Sequence, residues 1–172
     1  ASSWEGASIP SPASRLRAIS VIGWAAGYDG MAGGQAVDML SVGKSVGLEI
    51  VQYIHKNKTA ALITASLMAG AVLGGGQETH IQAMRAYGEK IGLAFQISDD
   101  ILDIEGDRQS LGKQTGADEK MGKATYPAVL GLSRSKSVER DLIEKAVESL
   151  HIFDSKAEPL RQIARYIIER QQ

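Results

Sequence analysis

The sequence predicts an all-α protein, a helical bundle forming a single domain over residues 1–172, and three observations support this. No stretch alternates apolar and polar residues with the period of two that marks a half-buried strand. Several stretches instead carry apolar residues three or four positions apart, the spacing of an amphipathic helix. With 172 residues, of which 44% are hydrophobic, the chain can bury one sizeable core.

The helical spacing recurs along the whole chain. The first helix is predicted over residues 14–28, and the second over 48–73, where three consecutive glycines follow. A long third helix is predicted over 78–105. The polar segment 106–123 is predicted as a loop, and since it is longer than the ~12–15 residues above which structureless connections are uncommon, it is expected to be functional or disordered. Shorter helices are predicted over 126–132, 137–151 and 159–170. Turns are assigned to five glycines: Gly33, Gly34, Gly112, Gly116 and Gly122.

Composition and charge exclude several classes of protein. The net charge is −1 and the pI about 6.4, so no basic surface for nucleic acid or anionic lipid is expected. The absence of cysteine removes thiolate metal sites and is typical of a reducing compartment, so a cytoplasmic location is expected. No apolar run approaches the ~20 residues of a membrane helix, so stable membrane insertion is not expected.

The third predicted helix carries a stripe of acidic residues. Residues 91–104 are almost entirely apolar except for Gln96, Asp99, Asp100 and Asp103. At about 100° per residue, these four side chains fall within one arc of about 100°. Because aspartate is a weak helix former and like charges one turn apart repel, a solvated stripe is a poor explanation. An EF-hand does not match the spacing. Oxygen ligands without Cys or His indicate Mg²⁺, usually held by one or two carboxylates together with substrate phosphates.

Sequence motifs accompany these acids. Residues 92–103 (GLAFQISDDILD) resemble the second aspartate-rich motif, FQxxDDxxD, of the trans-isoprenyl diphosphate synthases, the family of farnesyl and geranylgeranyl diphosphate synthases. Upstream, residues 33–38 (GGQAVD) and 55–59 (HKNKT) are similar to the family's GGQxxD and HxxKT segments. Downstream, residues 111–127 are similar to its GK…GxD…GKxTYP stretch. The ending YIIER is similar to bacterial short-chain members, so the resemblance extends over about residues 17–170.

This resemblance implies a fold and an activity. The fold is the isoprenoid synthase-type bundle, here without its N-terminal helices. The activity is the Mg²⁺-dependent, head-to-tail condensation of an allylic diphosphate with isopentenyl diphosphate, giving farnesyl or geranylgeranyl diphosphate. Members of the family are usually homodimers.

The resemblance also implies site residues. Asp99 and Asp103 correspond to the Mg²⁺ ligands, and Asp100 supports their site. The cations for the diphosphate are Lys58, Lys113 and Lys123. The polar and aromatic neighbours of the substrate are Thr59, Phe95 and Gln96. Gln35 and Asp38 are expected near the site, whereas His55 is expected to be structural.

The sequence departs from the family in one respect. A complete synthase has two aspartate-rich motifs, and only the second occurs here, since Asp29 and Asp38 are isolated. The chain is therefore expected to be part of a longer enzyme. Two alternatives remain: a catalytically silent dimer partner of a complete synthase, and a class I terpene cyclase. The first would have lost the metal and diphosphate residues. The second normally carries an Asn/Ser/Glu metal motif where this chain has DDILD.

Overall fold

The computed structural model describes residues 9–109 and 125–169, without the side chains of residues 106–109. Every regular element in these two ranges is helical, which confirms the predicted fold class. In chain order the elements are α1 (Pro12–Ala26), α2 (Met31–Ser41), α3 (Leu48–Ile54), the π turn (His55–Ala60), α4 (Ala61–Leu73), α5 (Glu78–Gln109), α6 (Tyr126–Leu130), α7 (Leu132–Ser149), a 3-10 turn (Ser155–Ala157) and α8 (Glu158–Glu169). No helix within the described ranges is long and apolar enough to cross a membrane.

The N-terminal half differs from the prediction at α2. α1 begins where Ser11 caps the main-chain N–H of Ser14 at 3.0 Å and proline occupies the first turn, close to the predicted start. α2 was not predicted, because Gly33 and Gly34 were taken as turn formers. Both lie buried inside this helix. A Cβ atom at Gly33 would overlap the carbonyl oxygen of Tyr28, so close contact rather than a turn requires glycine there, and the turn assignment is wrong.

α5 is the central helix and packs against α4 on one side and α7 on the other. The larger core cluster lies where α5 meets α7 and α8, and its buried members are Met84, Tyr87, Ile91, Ala94, Ile143, Ala146, Leu150, Ala164 and Ile167. A second cluster joins α5 to α3 and α6 through Val51, Leu93, Ile97, Ile101 and Tyr126. α5 is buried on several sides, and this explains its long apolar runs.

The end of α5 also differs from the prediction. The helix was expected to stop at Glu105, before Gly106, but its backbone continues to Gln109. A single glycine inside a helix costs only about 1 kcal/mol, so it does not by itself end one. The predicted loop from Gly106 is therefore wrong over its first four residues, and residues 110–124 lie outside the described ranges.

The C-terminal helices are held against α5 by side-chain bonds to main-chain carbonyls. Gly131, with φ of +78°, separates α6 from α7, so α7 begins at Leu132 rather than at the predicted residue 137. The Tyr87 hydroxyl donates to the Leu160 carbonyl at 2.6 Å, and the Ser98 hydroxyl to the Ile167 carbonyl at 3.1 Å. Both bonds join α5 to α8, and the bond of Ser98 lies next to the acidic end of α5.

The connection between α7 and α8 is closed by one arginine. The Arg161 guanidinium donates to the carbonyl groups of Leu150, Phe153 and Asp154 at 2.9–3.2 Å. Helix ends leave carbonyl groups without partners inside the helix, and these three bonds satisfy that need at the end of α7 and in the turn after it.

Candidate active site

The π turn interrupts an otherwise continuous helix that was predicted as one uninterrupted element over residues 48–73. Buried positions follow at Val51, Ile54 and His55, but the next one is Ala60, five residues later. A regular α-helix would repeat its buried face after three or four residues. The π turn takes up the extra residue, so that Lys58 and Thr59 are only partly buried. Turns of this kind occur frequently at functional sites.

Glycines allow two helices to approach this turn closely. A Cβ atom at Gly34 of α2 would overlap the main-chain nitrogen of Lys58. At Gly92 of α5 it would lie 2.5 Å from Ala60 Cβ and 2.6 Å from Ala60 Cα, and at Gly88 it would lie 2.7 Å from Thr64 Cα. Real Cβ atoms do not approach other atoms so closely. The π turn is therefore held between α2 and α5 at distances that only glycine permits.

Lys58 and Asp38 form an ion pair across the contact between the π turn and α2. Lys58 Nζ donates to Asp38 Oδ2 at 2.6 Å, with 37% of the lysine side chain and 16% of the carboxylate side chain exposed. The carboxylate fixes the direction of the lysine. Because an ammonium group has three donors, this bond still permits contact with a phosphate oxygen. The sequence placed Asp38 only near the site, because the residues around it do not indicate that it pairs with Lys58, 20 residues later.

Thr59 connects the π turn to α5. Its Oγ1 donates to Gln96 Oε1 at 2.8 Å. Asp99 and Asp103 follow Gln96 on α5 by three and seven residues, so they share its face, and both are partly buried. The predicted hydroxyl and amide thus join the π turn to α5, on the face of α5 that also carries Asp99 and Asp103, while the predicted cation Lys58 is paired with Asp38 of α2.

Asp100 lies in the interior next to His55 and Tyr126. Its side chain is 5% exposed, and Oδ2 accepts a hydrogen bond from the Tyr126 main-chain N–H at 2.9 Å. His55 Nε2 lies 3.5 Å from the same oxygen. The His55 ring stacks on the Tyr126 ring with centroids 5.3 Å apart and planes 21° apart.

Burial governs the titration of both rings. It lowers the pKa of His55 from 6.5 to about 4, an effect that Asp38 opposes and Lys58 reinforces, so the imidazole is neutral at pH 7. Burial also raises the pKa of the Tyr126 phenol, Gln52 partly offsets this, and the charge of Asp100 adds to it. Sequence reasoning gave Tyr126 no role of its own, although it belongs to the GKxTYP motif.

The other predicted site residues are placed as follows. Gln35 is exposed on α2, one turn before Asp38. Phe95 is partly buried and packs against the larger core cluster. Lys113 and Lys123 lie outside the described residues.

The donor set suits magnesium. Within residues 9–109 and 125–169, no group of three or more His, Cys, Asp or Glu side chains is arranged to hold a metal ion. Asp99 and Asp103 nevertheless supply two carboxylates one turn apart on α5. Mg²⁺ is usually bound by one or two carboxylates plus substrate phosphates and water, so these residues fit it.

An apolar cleft starts beside the site. It has a volume of about 610 Å³, is lined by Lys56 and Ala60 of the π turn, and follows α4 to Met68. Trp24 of α1 lies on one side of it, and Arg85 and Glu89 of α5 lie on the other. The cleft is lined mainly by small and apolar side chains, so it could receive a hydrocarbon group.

Known proteins match almost the whole chain. Residues 13–166 match the family model described as polyprenyl synthetase. The sequence is 44% identical over 162 residues to farnesyl diphosphate synthase of Escherichia coli, covering 91% of this chain and 54% of that protein. It is 42% identical over 165 residues to the chloroplastic geranylgeranyl pyrophosphate synthase 7 of Arabidopsis thaliana, covering 94% of this chain and 48% of that protein. The chain thus spans about half the length of the curated relatives it matches.

Solved structures also align with almost the whole of this chain and with about half of their own length. The apo structure of a farnesyl/geranylfarnesyl diphosphate (FPP/GFPP) synthase from Zymomonas mobilis aligns with a TM-score of 0.80 at 38% identity, over 91% of this chain and 52% of that chain. Geranyltransferase from Helicobacter pylori, solved in complex with magnesium and isoprenyl diphosphate, aligns with a TM-score of 0.74 at 29% identity. That alignment covers 93% of this chain and 52% of the other.

Proposed function

The chain belongs to the polyprenyl synthetase family, and from this we propose that the complete gene product joins an allylic diphosphate to isopentenyl diphosphate head to tail. The products are a longer trans-prenyl diphosphate and free diphosphate. The proposed product is short, farnesyl or geranylgeranyl diphosphate, in line with the names of the relatives. The activity is proposed for the complete product because this chain spans about half of its relatives and contains only the second aspartate-rich motif.

One observation carries the proposal: the π turn carries a cation and a hydroxyl next to each other, and the hydroxyl is bonded to the acidic face of α5. Lys58 is oriented by Asp38 at 2.6 Å, and Thr59 is bonded to Gln96 at 2.8 Å. A diphosphate needs positive charge and hydrogen-bond donors, and both are present on this turn. The complex of the Helicobacter pylori geranyltransferase with magnesium and isoprenyl diphosphate supports the same ligands for this chain.

The roles of the residues follow from where charge develops. Breaking the allylic C–O bond leaves negative charge on the departing diphosphate, and the Lys58 ammonium stabilises it there. Mg²⁺, held by Asp99 and Asp103, would supply further positive charge to the same oxygens. Thr59 and Gln96 are proposed to orient the diphosphate, and Phe95 is proposed as a neighbour of the substrate from the resemblance. Lys113 and Lys123 are proposed as additional cations.

The apolar cleft is proposed to receive the isoprenoid group. An allylic cation is quenched by water, so its hydrocarbon part must be enclosed while the double bond of isopentenyl diphosphate attacks it. Lys56 and Ala60 of the π turn line the cleft, and this supports a substrate that binds its diphosphate at the π turn and its hydrocarbon group in the cleft. The attack leaves a carbocation on the former isopentenyl group. A proton is then lost from a carbon next to the cationic carbon, and this forms a new double bond.

A homodimer is proposed as the functional state. α1 exposes three large apolar side chains that are three residues apart: Leu16, Ile19 and Ile22. A contiguous apolar face of this kind is normally covered by another segment or subunit. This supports burial of α1 in the assembled enzyme.

The first test is turnover by the complete gene product, whose intact mass establishes its length. It is incubated with Mg²⁺, isopentenyl diphosphate and dimethylallyl diphosphate, and prenyl diphosphates are measured. Asp99→Asn should lose most of the activity, because one proposed Mg²⁺ ligand loses its charge. Asp141→Asn is the matched control, since Asp141 is an exposed carboxylate paired with Lys145 on α7.

Two results would count against the proposal. If the folded wild-type protein makes no prenyl diphosphate with either C5 substrate or with geranyl diphosphate, the synthase activity is wrong. If it is inert alone but changes the rate or product of a complete synthase added to it, the protein is a regulatory partner instead.

A further inference from the structure

We propose that Asp100, His55 and the main-chain N–H of Tyr126 form a buried positioning cluster that fixes the π turn and α6 against α5. The inference rests on the proposed function, in which Asp99 and Asp103 hold magnesium. The cluster would keep Lys58 and Thr59 of the π turn at a fixed position relative to these two carboxylates.

The contacts of Asp100 support this assignment. One carboxylate oxygen, Oδ2, both accepts the Tyr126 N–H bond at 2.9 Å and faces His55 Nε2 at 3.5 Å. The residue as a whole is only 4% exposed. A buried carboxylate that accepts a main-chain N–H at the start of a helix stabilises that helix end, here the first residue of α6. The same oxygen therefore holds α6 and the π turn to α5.

His55 is held in the interior by two contacts. Its side chain is 5% exposed, and Nε2 lies 3.5 Å from Asp100 Oδ2. The face of its ring stacks on the Tyr126 ring, with the centroids 5.3 Å apart. The imidazole therefore contacts both α5 and α6.

The cluster reaches the substrate site through the two elements it joins. His55 is the first residue of the π turn, three residues before Lys58. Asp100 directly follows Asp99 on α5. The contacts His55–Asp100 and Thr59–Gln96 are four residues apart on both elements, so they tie the two antiparallel segments at successive turns. With only one tie left, the π turn could pivot, and Lys58 would move relative to Asp99.

The test compares Asp100→Asn with Asp99→Asn in the complete gene product. We measure kcat, KM for the allylic diphosphate, the Mg²⁺ concentration at half-maximal rate, and Mg²⁺-dependent binding of inorganic diphosphate by calorimetry. Asp100→Asn should lower kcat by about 10- to 100-fold, as expected when reacting groups are slightly misplaced. It should leave the Mg²⁺ requirement within about twofold of wild type. Asp99→Asn should raise that requirement by about tenfold or more.

A second variant keeps the inference testable if Asp100→Asn does not fold. His55→Phe retains a ring that can stack on Tyr126 but removes Nε2. It should lower kcat to a similar degree without changing the Mg²⁺ requirement. The double variant should be little worse than either single one, because both remove the same contact.

Several outcomes would overturn the inference. One is a shift in the Mg²⁺ requirement of Asp100→Asn as large as that of Asp99→Asn. Another is multiplication of the two kcat losses in the double variant, which would show two independent roles. If wild type turns over normally and either result appears, only the positioning role fails. If wild type neither turns over nor binds diphosphate with Mg²⁺, the proposed function fails with it.

Discussion

Replacing Gly92 by alanine tests the close contact between α5 and the π turn. A methyl group at this position would lie 2.5 Å from Ala60 Cβ and 2.6 Å from Ala60 Cα. The nearest atoms belong to a short side chain and to the backbone, so neither can swing away, and the helices must separate. Such overpacking costs about 1–3 kcal/mol. Alanine also has a helix propensity better by about 1 kcal/mol, which offsets part of that cost.

The matched control is Gly70→Ala. Gly70 lies inside α4, and a Cβ atom there meets nothing within 4 Å. This variant gains the helix propensity without the collision, so it should be more stable than wild type by about 1 kcal/mol. Gly92→Ala should be less stable than wild type by about 1 kcal/mol, the overpacking cost minus the propensity gain.

The measurement is urea unfolding of both variants of the complete gene product, accepted only if their m-values equal that of wild type. Gly92→Ala should also lose activity, because separating α5 from the π turn breaks the bond between Thr59 and Gln96. If it is as stabilising as Gly70→Ala, the close approach does not constrain the structure and the reasoning is refuted.

Three further predictions follow from other contacts. Since the folded-state pKa of His55 is about 4 and its unfolded value 6.5, the unfolded state binds the proton first as the pH falls. The free energy of unfolding should therefore drop between pH 6.5 and 4 by roughly 3 kcal/mol more in wild type than in His55→Phe, measured by urea unfolding. Lys58→Ala should lower kcat/KM by about 10- to 100-fold, the value of a charge-assisted hydrogen bond, with Asp38→Asn showing a smaller loss in the same assay. An unchanged kcat/KM in Lys58→Ala would exclude it from diphosphate binding. Arg161→Ala should destabilise the protein by about 2 kcal/mol because three carbonyl bonds are lost, and a thermal melt within error of wild type would contradict this.

Sequence patterns predicted the helices whose burial follows the spacing of their own residues. The apolar spacing of residues 48–73 and of α5 identified both long helices, because burial against neighbours imposes that spacing. α2 was missed because its two consecutive glycines are also typical of turns. Nothing in the α2 sequence alone reveals that the backbone at Lys58 lies against Gly34.

In the candidate site, side-chain directions along α5 were predictable from the sequence, but contacts with residues distant in the chain were not. The helical wheel placed Gln96, Asp99, Asp100 and Asp103 on one arc, since direction depends only on residue number. It could not separate their surroundings, because the inward contact of Asp100 depends on Tyr126, which is 26 residues away. The pair of Asp38 and Lys58 likewise depends on how α2 folds back on the π turn. The proposed roles of Lys113 and Lys123 remain predictions from resemblance, outside the described residues.

The extra residue of the π turn affects the packing of the helices and the positions of the site residues differently. Its extra residue lets α3 and α4 keep their buried faces aligned although Ala60 follows His55 by five positions. Removing one residue from it would therefore yield an ordinary helix whose two ends still pack as before. The bonds of Lys58 to Asp38 and of Thr59 to Gln96 would be lost. A single-residue deletion in this turn should therefore leave the protein folded and abolish turnover, which urea unfolding and the prenyl transfer assay check separately.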